Sequence, residues 1–154
     1  MTYLIIDRYP ANKVEPLVYE IKMLNDTFKL YSLHKEPLQS AILESFLLHA
    51  RILIDFLESN RKNKDDLTCS DFTDINGNPL QGEVVNLKVG VKEAINKHLA
   101  HLTLKRTNGK AQWRMGEIRN ELNKSFRSFV AKCADSNFPE QPNQWRLALL
   151  EQVQ

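Results

Sequence analysis

Ile42-Leu43-Glu44-Ser45-Phe46-Leu47-Leu48-His49-Ala50-Arg51-Ile52-Leu53-Ile54-Asp55-Phe56-Leu57 is the stretch that decides the fold. At 100° per residue, Ile42, Leu43, Phe46, Leu47, Ala50, Leu53, Ile54 and Leu57 share one broad face. Leu48, Ile52 and Phe56 carry apolar character round the back. Only a narrow strip holding Glu44, Arg51 and Asp55 is strongly polar. A helix that is apolar nearly all round is usually central. This one, expected from about Pro37 to Asn60, is therefore read as the core of a bundle.

Working outward, amphipathic helices flank it. From about Glu15 to Tyr31, residues Leu17, Ile21, Leu24, Phe28 and Tyr31 form one stripe, with Pro16 suited to a first helical turn. A third helix is expected over about Val84 to Arg106, with Leu87, Val91, Ala94, Ile95, His98 and Leu102 on one face. Thr107-Asn108-Gly109-Lys110 reads as a turn. A fourth helix, about Trp113 to Cys133, carries Met115, Ile118, Leu122, Phe126, Phe129 and Cys133 in helical register. Asn137, Pro139 and Pro142 interrupt, and Trp145, Leu147, Leu149 and Leu150 suggest a short terminal helix docking back. No strand pattern or repeat is present. The fold class is all-α, an antiparallel four-helix bundle with a short extra C-terminal helix, as one domain over residues 1–154.

Between helices two and three, residues 61–83 form a long polar loop carrying Asp65, Asp66, Asp71, Asp74 and the turn-like Asn76-Gly77-Asn78-Pro79. Loops of this length are commonly functional or mobile. Pro79 stands where an EF-hand requires Gly, and no Glu lies six residues beyond it, so a calcium loop is not expected.

Composition sets the outer limits. With 42% apolar and 26% charged residues over 154 positions, the chain is globular and long enough to bury a core. No apolar run approaches the roughly 20 residues of a membrane span, and Asp7 and Arg8 cut the N-terminal Tyr3-Leu4-Ile5-Ile6 too short for a signal peptide. No membrane association is expected, and a cytoplasmic location is. Cys69 and Cys133 make no metal spacing and are read as free thiols in a reducing compartment. The net charge of +2 is uneven: residues 86–133 hold 11 basic and 3 acidic side chains. Such asymmetry can mark a nucleic-acid surface, two parts of one fold attracting each other, or simply solvated helix faces.

Two groups could carry chemistry. Glu44, Arg51 and Asp55 share a face of helix two, either as an internal salt-bridge network or as a polar pocket with Arg51 clamping an anion. His49 sits at the opposite edge of the apolar face. On helix three, within Asn96-Lys97-His98-Leu99-Ala100-His101, His98 projects from the apolar face, as a satisfied core histidine does. His101 lies at the polar boundary with Lys97 one turn before it. A cation there favours the neutral imidazole that a general base requires, and attracts phosphate. Trp113 and Trp145, flanked by Arg114 and Arg146, either pack over the bundle edge or stack on bases. No phosphate loop, nucleophile elbow or zinc-binding helix is present, so no cofactor or metal is expected.

Helix two, from Glu44 to Phe56, followed by Ile95-Asn96-Lys97-His98-Leu99-Ala100-His101-Leu102, resembles the HEPN-type helical domains over roughly residues 37–106. Many members are ribonucleases of toxin or defence systems, often dimeric, with an Arg-polar-x-His motif on one helix. The resemblance implies His101 and Lys97 as catalytic residues of a metal-independent ribonuclease. Asn96 stands where the motif has arginine, which bears on cleavage because that arginine would stabilise developing phosphorane charge. Lys97, Lys105, Arg106 and Arg114 would hold RNA. The alternative is a non-enzymatic helical module that dimerises or binds a partner protein through an apolar helix face.

Overall fold

Pro16 opens a helix whose apolar residues recur every three or four positions, and that helix runs Glu15–Tyr31 (α1). In the computed structural model, which describes residues 12–100, 113–139 and 141–153, it is followed by α2 (Leu38–Leu57), α3 (Val91–Ala100), α4 (Met115–Lys132) and α5 (Pro142–Glu151). No strand forms among the described residues. The fold is an all-α helical bundle, as expected. No helix among the described residues is long and apolar enough to cross a membrane.

The packing follows the stripes. Leu17, Ile21 and Leu24 of α1 meet Phe46, Leu47, Ala50 and Leu53 of α2 and Ile118, Leu122 and Phe126 of α4, all buried. Glu20 of α1 pairs with His49 of α2 and the later Phe28 with the earlier Phe46, so the two helices are antiparallel. Gly116 lies by Phe28 and Asn123 by Asn25, so α4 is antiparallel to α1 as well. A polar contact is enclosed here. The Asn25 and Asn123 amides exchange two hydrogen bonds of 3.0 and 3.1 Å, and Asn25 also accepts from Arg119 Nε at 2.6 Å. No buried side-chain N or O is left unsatisfied among the described residues. Leu149 of α5 and Val153 close the core, with Trp113 and Trp145 partly buried over its edge.

Two boundaries differ from the sequence reading. Helix two ends at Leu57, three residues early, because Ser59 adopts a left-handed φ of 55°. Ser59 N–H then donates to Phe56 O and Asn60 N–H to Asp55 O at 2.9 Å, a Schellman closure with serine in the place glycine usually takes. Helix three begins at Val91 rather than Val84. Residues 84–90 run non-helically over the end of α2, where Val85 N–H donates to Glu58 Oε1. The rest of the expected helix three lies outside the described residues.

The expected loop at 61–83 is ordered and contributes to the core. Phe72 is fully buried, edge-on to Phe56 at 5.9 Å and Phe129 at 5.1 Å, and Cys69, Leu80 and Val85 join it. Its carboxylates serve as turn acceptors. Asp66 takes the N–H groups of Lys62 and Asn63, Asp74 those of Asn76 and Asn78, and Asp71 caps a short 3₁₀ turn through Thr68. No His, Cys, Asp or Glu cluster able to hold a metal occurs among the described residues. Asn137 fastens the segment to the end of α4, its amide accepting from Thr73 N–H at 2.8 Å and donating to Thr73 O at 2.7 Å.

Candidate functional site

The residues of α2 that the core does not use lie together. Helical spacing puts Ala41, Ser45, Leu48 and Ile52 on one line, at steps of four, three and four. Leu48 is 45% and Ile52 39% exposed, large values for apolar side chains in the middle of a helix. The helix is thus central on one side only. It packs on α1, α3 and α4 and turns its back to solvent. A groove of about 390 Å³ opens beside this line, between Pro16 and Glu20 of α1, Arg51 and Ile52 of α2, and Leu67 of the connection.

The polar strip borders the same face but does not form the expected network. Asp55 pairs with Lys62 Nζ at 2.7 Å instead of with Arg51. The left-handed turn at Ser59 folds the chain back and brings Lys62 alongside the last turn of α2. Glu44 is half-buried and engaged within the chain. Arg51 makes no ion pair or hydrogen bond among the described residues, although it is half-buried on the groove wall. His49 is buried away from this strip, as its place on the helix implied. It has a partner that spacing within α2 could not reveal, since its Nδ1 lies 2.6 Å from Glu20 Oε2. An ionised carboxylate only accepts, so Nδ1–H is the donor. Tyr19, itself exposed, stands edge-on to the imidazole at 5.8 Å.

Among the described residues, most basic side chains of the 86–133 segment are engaged within the chain. Lys92 pairs with Glu58 and Lys132 with Glu83, joining the basic segment to the acidic one. Lys88 and Arg114 both reach Glu117, at 3.2 and 2.8 Å, and Arg114 first, then Lys88, holds that carboxyl below its usual range. Arg119 lies over the Phe28 ring, and Arg127 donates to the Val153 carbonyl. Arg146 caps the end of α4 through the Val130 and Cys133 carbonyls and pairs with Asp135. Of the four residues assigned to RNA, Arg114 is thus in an ion pair, while Lys97 is exposed with no ion pair among the described residues. Lys105, Arg106 and the proposed catalytic His101 lie outside the described residues. His98 is half-buried rather than in the core, edge-on to Trp113 at 5.4 Å.

The two thiols are free and buried, and burial pushes Cys133 up to about 12, far from a reactive thiolate. A candidate recognition surface is the outer face of α2, an exposed apolar line flanked by Arg51, which has no partner among the described residues. Compared with protein-family models, curated proteins and solved structures, the chain matches none.

Proposed function

We infer that this protein is a self-associating helical module that pairs with a second copy through the outer face of α2. The observation that carries this reading is the join of Leu48 and Ile52, both exposed, to the half-buried Arg51, which no described residue neutralises. Single exposed apolar residues are ordinary. An apolar line with a guanidinium along its edge that no described residue pairs is a surface with demands of two kinds, and a protein partner meets both. The ion pairs that occupy Lys88, Lys92, Arg114 and Lys132 favour this reading over RNA binding.

Sedimentation equilibrium over a concentration series tests it, with Leu48→Asp as the paired variant. The wild type should move reversibly from monomer to dimer. The variant, whose new charge lies at an exposed position and leaves the core intact, should stay monomeric with an unchanged far-UV spectrum. A wild type that remains monomeric up to about 1 mM refutes self-association. Salt-sensitive binding of labelled single-stranded RNA that Lys97→Glu abolishes, or cleavage that His101→Ala abolishes, would return the nucleic-acid reading in its place.

A further inference from the structure

We propose that the second copy lies antiparallel along α2, with Leu48 against Ser45 and Ile52 against Ala41 of the other copy, and Glu44 paired with its Arg51. This rests on the self-association reading and adds its geometry.

Ala41, Ser45, Leu48 and Ile52 alternate steps of four and three, the spacing of a seam between two helices. In a parallel pair each seam residue meets its own copy. Ala41 would then face Ala41 and Ser45 would face Ser45, leaving the N-terminal half of the seam thin and partly polar. In an antiparallel pair with its twofold axis between Phe46 and Leu47, each large residue meets a small one, Leu48 on Ser45 and Ile52 on Ala41. That is the interdigitation close packing requires.

The flanking charges choose the same direction. In a parallel pair the residues facing Glu44 and Arg51 would come from the other edge of the seam, where Ile42, His49 and Phe56 are buried in their own core. In the antiparallel pair the Glu44–Arg51 edges face each other. Glu44 of each copy then lies within about 3 Å, along the axis, of Arg51 of the other. The twofold axis makes two such pairs. Glu44 is engaged within its own chain, and a carboxylate accepts from several donors, so the guanidinium adds to that contact without replacing it. Asp55, held by Lys62, stays at the rim. The seam from Ala41 to Ile52 spans about 16 Å, less than a standard interface of about 800 Å² per partner needs by itself. Tyr19 and the groove beside Leu67 provide further surface. The dimer is reversible and concentration-dependent.

A charge-swap series measured by sedimentation equilibrium tests the register. Glu44→Arg and Arg51→Glu each place like charges across the axis twice and should raise the dimer dissociation constant about tenfold or more. The double variant E44R/R51E restores opposite charges and should return it to within about threefold of wild type. Thermal melts of all three establish that the monomer fold is retained. Single variants that weaken the dimer without rescue in the double overturn the proposed register. A dimer indifferent to all three overturns it too, placing self-association on another face. A wild type that never dimerises overturns the underlying reading, and the register with it.

Discussion

Phe72→Ala tests whether the 58–90 connection belongs to the core or only crosses it. The ring is fully buried, it meets Phe56 and Phe129 edge to face at 5.9 and 5.1 Å, and the Lys13 ammonium stands 4.4 Å from its centroid. Truncating a buried Phe costs about 3–5 kcal/mol through lost transfer energy and the cavity left behind. Two aromatic partners and a cation place this site near the middle or above, about 4 kcal/mol. Against a total stability of about 5–15 kcal/mol, that is a quarter or more of what holds the protein folded. Urea unfolding followed by far-UV circular dichroism should show the midpoint falling with an unchanged slope. The melting temperature should drop by about 8–16 °C for a chain of this size. A loss below about 1 kcal/mol would refute the reasoning, because the connection could then leave the core without disturbing α2 and α4.

Two further predictions concern the same segment. Gly82→Ala places a Cβ 2.6 Å from the Glu58 carbonyl oxygen and 2.7 Å from its carbon, both backbone atoms that cannot step aside, so a loss of about 2 kcal/mol or more is expected in thermal melts; a near-neutral result would mean that the chain does not cross the end of α2 this closely. The carboxyls of Asp66, Asp71 and Asp74 all titrate below the ordinary Asp range. The Asn63 N–H is the largest cause at Asp66 and the Asn78 N–H at Asp74, whereas at Asp71 burial opposes the shift and is outweighed by Thr68 and Arg61. A folded value below the unfolded one contributes stability that is complete above the unfolded pKa of about 3.9 and is lost as pH falls through the folded values. Hydrogen-exchange protection of residues 61–80 should accordingly hold from neutral pH to about 5 and decline below about 4, and protection that is flat to pH 2 would refute the role given to these carboxylates.

Helical periodicity was enough to find α1, α2, α4 and α5, because each buries one stripe against neighbours and the 3.6-residue period records that burial directly. It failed where long-range contact outweighs local pattern. Leu87 fits the stripe of α3, yet residues 84–90 stay non-helical. Val85 donates its N–H to Glu58, and Glu83 donates its own to the Leu57 carbonyl, satisfying the open end of α2 instead of a helix of their own. Phe72 was hidden for the opposite reason. It is one apolar residue among acidic turn formers, and nothing in its neighbours shows that Phe56 and Phe129 have left room for it. The end of α2 was misplaced because its stop signal is a left-handed serine, which composition does not distinguish from a continuing helix.

The polar strip shows the same limit and says more about function. Spacing alone brings Glu44, Arg51 and Asp55 to one face, and it offers Asp55 to Arg51 four residues earlier. Which cation Asp55 takes depends on the turn at Ser59, which delivers Lys62 to it. Arg51 is left without a described partner as a consequence of where the chain goes next. The apolar content of α2, read first as a sign of burial on every side, divides in the same way. Phe46, Leu47, Ala50 and Leu53 satisfy the core, and Leu48 and Ile52 exceed what the core can use. An excess of either kind alone would be unremarkable on a protein surface. Here both excesses fall on adjacent lines of one helix, and the small residues Ala41 and Ser45 complete the seam. A face with large residues, small residues and opposite charges at antiparallel-matched positions carries its own complement, and for such a face the simplest partner is a second copy of itself.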